Sequence, residues 1–111
     1  MNEKIILESK GFIGKLRKAL KMFNDDNLFV ISVKGTAGSV SSISVATYDE
    51  MKVGSLAREK LPSLYKAADK LMKVSCEQYK GITSVIIMLT DEFDTEVFQD
   101  GQVLRICNLD A

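Results

Sequence analysis

Two stretches of the chain repeat their apolar residues at intervals of three and four, and this spacing constrains the fold more than any other feature. They are residues 12–23 and residues 61–79. Such spacing places the apolar side chains on one face of an α-helix. The sequence therefore predicts two amphipathic helices. Ser9 is a candidate N-cap of the first, and the second runs on from Pro62, since proline is tolerated in a first turn.

Shorter runs, either apolar throughout or alternating with polar residues, predict the strands. These runs are residues 4–8, 27–34, 42–48, 82–90, 95–99 and 102–109. The run at 82–90 is apolar at nearly every position, which is typical of a central strand covered by helices on one side. Residues 35–39 and residues 49–54 are predicted to be connections.

The last two runs are separated by Asp100 and Gly101, and Asp-Gly between alternating runs indicates a two-residue type I′ turn. In the register that this turn sets, Glu96 lies opposite Arg105 as an opposite-charge cross-strand pair. The core side of this hairpin is predicted to hold Val97, Leu104 and Ile106.

The predicted elements follow the order β-α-β-β-α-β, with a C-terminal β-hairpin added. A mainly antiparallel sheet with both helices on one face makes a two-layer α+β sandwich. The first six elements resemble the ferredoxin-like order. The succession of helix and hairpin, which occurs twice, is similar to one domain of a sliding DNA clamp, a half-clamp-like arrangement. A chain of 111 residues is expected to form a single domain, residues 1–111.

The composition narrows the chemistry mainly through what it lacks. There is no histidine, which excludes the ordinary Ser-His and Cys-His pairs of nucleophilic catalysis. Cys76 falls within the apolar rhythm of the second helix and Cys107 within a strand, so both are expected to be buried, reduced thiols. No cofactor, zinc site or enzymatic activity is predicted. No apolar run approaches the ~20 residues of a membrane span, which favours a cytoplasmic protein.

An acidic segment follows the predicted central strand. Asp91, Glu92, Asp94 and Glu96 place four carboxylates within six residues. Carboxylate oxygens suit a hard cation, but the spacing is not that of an EF-hand, and the glycine needed at the sixth position of such a loop is missing. The segment is predicted to be a solvated loop, and a metal-dependent enzyme is the third functional alternative.

The first predicted helix carries five cations and no acid between Ser9 and Asn24. They are Lys10, Lys15, Arg17, Lys18 and Lys21. At ~100° per residue, four of them cluster opposite the apolar stripe and Lys15 flanks them. A solvated helix usually mixes signs because i, i+4 pairs stabilise it. The unmixed face is therefore predicted to bind an anionic partner, whereas the second helix mixes lysines with acids and no function is predicted for it.

The charge of the chain is uneven along its length. Residues 1–90 carry 14 Lys and Arg against 9 Asp and Glu, a net charge of +5, and residues 91–111 carry a net charge of −5. The sequence predicts a small intracellular protein-binding or regulatory module that acts through charge-complementary surfaces, with self-association as one form. The alternative is a nucleic-acid-binding module that uses the basic first helix. An accessory role in a phage or mobile element is compatible with a compact chain that has no catalytic motif.

Overall fold

The computed structural model describes residues 3–20, 29–47, 52–88, 97–100 and 103–107. Within these ranges the chain forms two helices and six strands. In chain order they are α1 (Glu3–Ala19), β1 (Phe29–Thr36), β2 (Ser39–Thr47), β3 (Lys52–Leu56), α2 (Pro62–Gln78), β4 (Ser84–Met88), β5 (Val97–Asp100) and β6 (Val103–Cys107). A helix followed by three strands thus occurs twice.

The six strands form one sheet in the order β3-β2-β1-β4-β6-β5. Neighbouring strands run antiparallel except β4 and β6, which are parallel. Both helices pack on one face of this sheet, which confirms the predicted two-layer α+β sandwich. The run predicted to be a central strand is β4, which pairs with β1 on one side and with β6 on the other.

The core lies between the two helices and one face of the sheet. Alternate strand residues are buried there because successive side chains point to opposite faces. The sheet contributes Ile31, Val33, Ile43, Val45, Val85, Ile87, Leu104 and Ile106. The helices contribute Ile5, Phe12, Ile13 and Leu16 from α1 and Leu64, Ala68, Leu71 and Met72 from α2. The predicted core positions Leu104 and Ile106 are thereby confirmed.

The opposite face of the sheet carries the residues that alternate with the core positions. Its half-buried residues include Val30, Ser32, Ser42, Ser44, Ala46, Ile86 and Met88. Both described helices lie on the other side of the sheet. The two faces therefore differ in chemistry, since small and apolar side chains predominate on this one, with Lys34 and Arg105 among them, and the helices lie on the other.

The first element of the chain is a helix, and the strand predicted at residues 4–8 is wrong. Ile5 lies four residues before Ser9 and seven before Phe12, and all three are buried on one face of α1. A short apolar run fits a strand and a buried turn of helix equally well, and here burial against the sheet decides. Ser9 consequently lies inside α1 and is not its N-cap.

The second helix begins at Pro62, as the sequence predicts. At its end the N–H of Tyr79 donates to the carbonyl of Ser75 at 2.9 Å. Gly81, with a φ of 86°, then turns the chain toward β4, a conformation that glycine adopts readily. Within the described residues the first helix ends at Ala19, and the last part of its predicted span lies outside them.

An additional strand occupies part of the segment predicted to be a connection, residues 49–54. β3 pairs with β2 at the edge of the sheet, with Ser55 beside Ser44 and a bulge near Ala46. A short edge strand with a lysine, a glycine and a bulge carries little apolar alternation. The formation of β3 therefore depends on its pairing with β2, which the sequence pattern of β3 alone does not indicate.

The C-terminal hairpin forms in a register that differs from the predicted one. Arg105 pairs with Phe98 and not with Glu96, and Asp100 pairs with Val103, so Asp100 belongs to β5 and not to the predicted turn. β6 also pairs with β4 and buries its apolar side against the core. A shift of two residues keeps every side chain on its face, so alternation alone cannot separate the two registers. Glu96 and the connection itself lie outside the described residues.

Candidate functional site

A groove of about 470 Å³ lies between α1 and α2 on the helical side of the molecule. It exists because both helices turn their apolar faces to the same side of the sheet, which leaves their polar flanks facing one another. The lining residues are Glu8, Gly11, Phe12, Lys15, Gly38, Ser63, Lys66, Ala67, Asp69, Lys70 and Lys73. We take this groove as the candidate site and refer to it below as the interhelical groove.

Lysines line both walls of the interhelical groove. Lys66, Lys70 and Lys73 follow the i, i+4, i+7 spacing of one helix face, and so they span ~10 Å along α2. Lys15 stands on the α1 wall. Within the described part of the chain, none of these four lysines takes part in an ion pair. The sequence pattern predicts no function for α2, but in the structure its lysines are three of the four that line the groove.

The predicted basic face of α1 is divided by the fold. Lys10, Lys15, Arg17 and Lys18 are all exposed on α1, and Lys21 lies outside the described residues. Of the four, Lys15 lines the interhelical groove. Lys10 and Lys18 lie elsewhere on the exposed surface of α1, and we call this pair the outer lysines. The helical side of the molecule thus carries a basic groove with further cations beside it.

The floor of the interhelical groove is apolar, and its α1 wall is open at Gly11. Phe12 is fully buried beneath it and Ala67 is half-buried on the α2 side. Gly11 leaves the α1 wall open, since no atom lies within 4 Å of the point where its Cβ would be. The methylene stems of the lysines extend this apolar surface, because lysine keeps its stem on apolar atoms and its ammonium group in water.

One carboxylate of the groove, that of Asp69, is already occupied. Oδ1 of Asp69 accepts the N–H of Val40 at 2.8 Å, and the guanidinium of Arg58 donates to both carboxylate oxygens at 3.0 and 3.2 Å. Arg58 also donates to the carbonyl of Val40 at 2.7 Å. Such a two-point Arg–carboxylate contact is among the stronger hydrogen-bonded pairs in proteins. It ties α2 to the start of β2.

The same arginine is held from a second side. Its guanidinium lies 4.6 Å from the centre of the Tyr65 ring, and the hydroxyl of Tyr65 donates to the carbonyl of Leu56 at the end of β3. Burial alone would raise the pKa of Asp69, but the hydrogen bonds from Arg58 and Val40 outweigh it and place the pKa below its ordinary value. Asp69 is therefore a carboxylate whose charge Arg58 balances.

Sequence reasoning did not single out Arg58 and Asp69, and no local signal points to them. The partners lie 11 positions apart, and each bonds to Val40 across 18 or 29 positions. In the linear sequence Asp69 reads as an acid interleaved among lysines. The fold gives it a fixed partner, and this leaves the lysine charges of the groove opposed mainly by Glu8.

The other predicted sites take no part in the interhelical groove. The acidic residues Asp91, Glu92, Asp94 and Glu96 lie outside the described residues, and among the described ones no cluster of carboxylates and cysteines is placed to hold a metal ion. Cys76 is a free, half-buried thiol with Sγ 3.4 Å from the carbonyl of Ile82, and burial raises its pKa.

The glycine-containing segment at residues 35–39 contains a hairpin turn that is shorter than predicted, because Gly35 and Thr36 belong to β1, Ser39 belongs to β2, and only residues 37–38 connect them. It joins β1 to β2, and Gly38 adopts a φ of 75° in the turn. A phosphate cradle needs backbone N–H groups at the start of a helix, and a strand follows here. Cys107 lies in β6, but its side chain is outside the described part of the structure.

Comparison with known proteins adds no relative to this description. No protein-family model, curated protein or solved structure matches the chain. Across the ranges that the structure describes, no helix is both long and apolar enough to cross a membrane. The function is therefore inferred from the chemistry of the groove, which combines lysines on both walls, an apolar floor and a carboxylate paired with Arg58.

Proposed function

We propose that this domain binds an acidic segment of a partner protein through its helical side and acts by binding, not by catalysis. The observation that carries the proposal is the convergence of Lys15 with Lys66, Lys70 and Lys73 on the walls of one groove. Like charges held near one another repel, and an anionic partner relieves that repulsion. The exposed carboxylates of an acidic protein segment have the complementary charge, and such complementarity raises specificity and association rate.

A nucleic-acid backbone is the second candidate partner. The outer lysines Lys10 and Lys18 favour it, because together with Lys15 they make part of α1 basic with no acid between Ser9 and Ala19. Phosphate contacts, however, need cations and not an apolar floor. The apolar surface of Ala67 and of the lysine stems, together with Glu8 in the groove, favours a protein partner.

Three charge-reversal variants of equal charge change test the proposed function. The groove variant carries Lys15→Glu and Lys70→Glu, the outer variant Lys10→Glu and Lys18→Glu, and the control variant Lys34→Glu and Lys80→Glu. All six lysines are exposed, and the control pair lies on β1 and beyond the end of α2. Exposed lysines contribute little to stability, so all three variants are expected to fold as the wild type does.

Binding is measured with labelled poly-L-glutamate, by fluorescence anisotropy at several salt concentrations. The groove variant, the outer variant or both are expected to bind poly-L-glutamate about tenfold more weakly than the wild type does. The control variant is expected to lose much less affinity. An equal loss of affinity in all three variants would show that binding depends only on the net charge of the protein, and this would contradict the proposal. Tighter binding of a DNA duplex than of poly-L-glutamate, with the same variants losing it, would replace the protein partner with nucleic acid.

A further inference from the structure

We propose that the interhelical groove takes a single acidic amphipathic helix of the partner protein. This inference rests on the proposed function and narrows it to one part of the helical side and to one shape of ligand. Its occupant presents carboxylates to the lysines and an apolar stripe to the floor. A helix laid in an apolar groove is a recurrent mode of peptide recognition.

The spacing of the lysines fits a helix that lies along α2. Lys66, Lys70 and Lys73 repeat at i, i+4 and i+7, which is the interval at which one face of any α-helix repeats. Glutamates at the same interval on a neighbouring helix have the same axial rise. Each glutamate can therefore meet a lysine. An extended chain rises ~3.3 Å per residue, so its side chains no longer match the lysine positions after two turns of α2.

The floor of the groove sets the second requirement. Half-buried Ala67 and the methylene stems of the lysines offer apolar surface above the buried Phe12, and Gly11 leaves room for a side chain of the ligand beside α1. An apolar stripe of the bound helix covers this surface and removes it from water, which favours binding. A uniformly anionic ligand such as a phosphate backbone has no apolar group to place there.

The lysines are kept available for this ligand by the contacts of Asp69. Arg58 and the N–H of Val40 bind the Asp69 carboxylate, so that it does not bind the neighbouring lysines. Glu8 lies on the α1 wall and repels acids on that side. The carboxylates of the ligand are consequently expected along α2 and beside Lys15, which fixes the face that the helix turns inward.

The test uses a synthetic helical peptide of about 16 residues, with glutamates at i, i+4 and i+7 beside a stripe of leucines. A scrambled peptide of equal composition keeps the charge but has no such face. We expect the wild-type protein to bind the helical peptide at least about tenfold more tightly than the scrambled one, measured by fluorescence anisotropy. Equal affinities for the two peptides would overturn the inference.

Two glycine variants of α1 provide a matched steric test. Gly11→Gln places a neutral side chain in the groove, and Gly14→Gln places the same side chain on the exposed surface of the same helix. A Cβ meets nothing within 4 Å at either position, so both variants are expected to fold. Gly11→Gln should weaken binding of the helical peptide about tenfold, and Gly14→Gln should leave it unchanged. Equal effects would contradict the proposed docking site.

The outcomes separate this inference from the proposed function. If the outer variant loses poly-L-glutamate binding while the groove variant and Gly11→Gln keep all binding, the helical side binds acids but the groove is the wrong place. If neither the groove variant nor the outer variant loses poly-L-glutamate binding, the proposed function fails as well. Dimerisation in light scattering that the groove variant and Gly11→Gln both abolish, and that the control variant keeps, would assign the groove to a second copy and overturn the inference.

Discussion

Ser9 is a polar residue that the packing of α1 buries in the core. It is fully buried, and among the described residues its Oγ is the buried side-chain polar atom without a hydrogen-bond partner. A buried hydroxyl without a partner has lost its hydrogen bonds to water and forms none in the protein, which lowers the stability of the folded state. Its presence in the helix is set by the burial of Ile5 and Phe12 on the same face, which outweighs this cost.

Ser9→Ala is therefore expected to raise the free energy of unfolding by about 1 kcal/mol. The substitution removes the unpaired hydroxyl and introduces the best helix former. Ser75→Ala is the matched control, because Oγ of Ser75 is equally buried but donates to the carbonyl of Leu71 at 2.8 Å. Urea denaturation of both variants checks the expectation. A destabilised Ser9→Ala protein would contradict the description of that site.

Two glycines give opposite expectations on replacement by alanine. Gly11→Ala should stabilise the protein by roughly 0.5–1 kcal/mol, because the position is helical and its Cβ has open space. Gly35→Ala should destabilise it by about 2 kcal/mol or more, because its Cβ would lie 2.4 Å from the carbonyl oxygen of Ser39 and 2.7 Å from the Cα of Val40. The melting temperatures of the two variants check these expectations. A Gly35→Ala variant as stable as the wild type would disprove the tight β1–β2 contact.

At the scale of elements, the contact of Asp69 with Arg58 and Val40 connects α2 to the β1–β2 hairpin. The pKa of Asp69 lies below its ordinary value of 3.8 in the folded protein. The contribution of this carboxylate to stability is therefore fully present above pH 3.8, and it is lost as the pH falls below that value and through the lower pKa of the folded protein. The side chain of Asp69 keeps 24% of its surface exposed, so solvent screens the contribution in part.

We expect Asp69→Asn to lower the free energy of unfolding by about 1 kcal/mol near neutral pH. The difference from the wild type should shrink as the pH falls below 3.8 and through the lower pKa of Asp69 in the folded protein, because the wild-type carboxylate is then protonated in both the unfolded and the folded states. Urea titrations across this range check it. Glu77→Gln, at an exposed position of the same helix, is the control and should change little. A difference that stays constant with pH would rule out the proposed linkage.

The elements also show which parts of the fold the sequence could predict. The second helix, the hairpin of β1 and β2 and the central position of β4 follow from apolar spacing and from Pro62, because burial and local pattern agree there. The first half of α1, the strand β3 and the pairing of β6 do not. Each depends on a neighbouring element, either through burial or through strand pairing, which a single-sequence pattern does not contain.

The site was predictable in part for a similar reason. Lys15 belongs to the predicted basic face and does line the interhelical groove. Lys66, Lys70 and Lys73 looked ordinary in the sequence because Asp69 stands among them, and its pairing with Arg58 appears only in the folded chain. The charge of a groove between two helices depends on how they are placed together, which their separate sequences do not specify.

At the scale of the whole molecule, the sheet separates two surfaces of different chemistry. Core positions such as Ile31 and Val45 face the helices, while Ser32 and Ser44 lie on the opposite face. The helical side carries the interhelical groove and its lysines. We propose that binding takes place on this side, so an acidic ligand should leave the opposite face of the sheet untouched.

An NMR titration of isotope-labelled protein with the acidic helical peptide shows which face of the domain binds the peptide. We expect amide signals to shift along both groove walls, at Gly11 and Lys15 on α1 and at Ala67 and Lys70 on α2. Signals from the opposite face of the sheet, Ser44 for example, should stay in place. Shifts concentrated on that face, with the groove walls unmoved, would rule out the interhelical groove as the binding site.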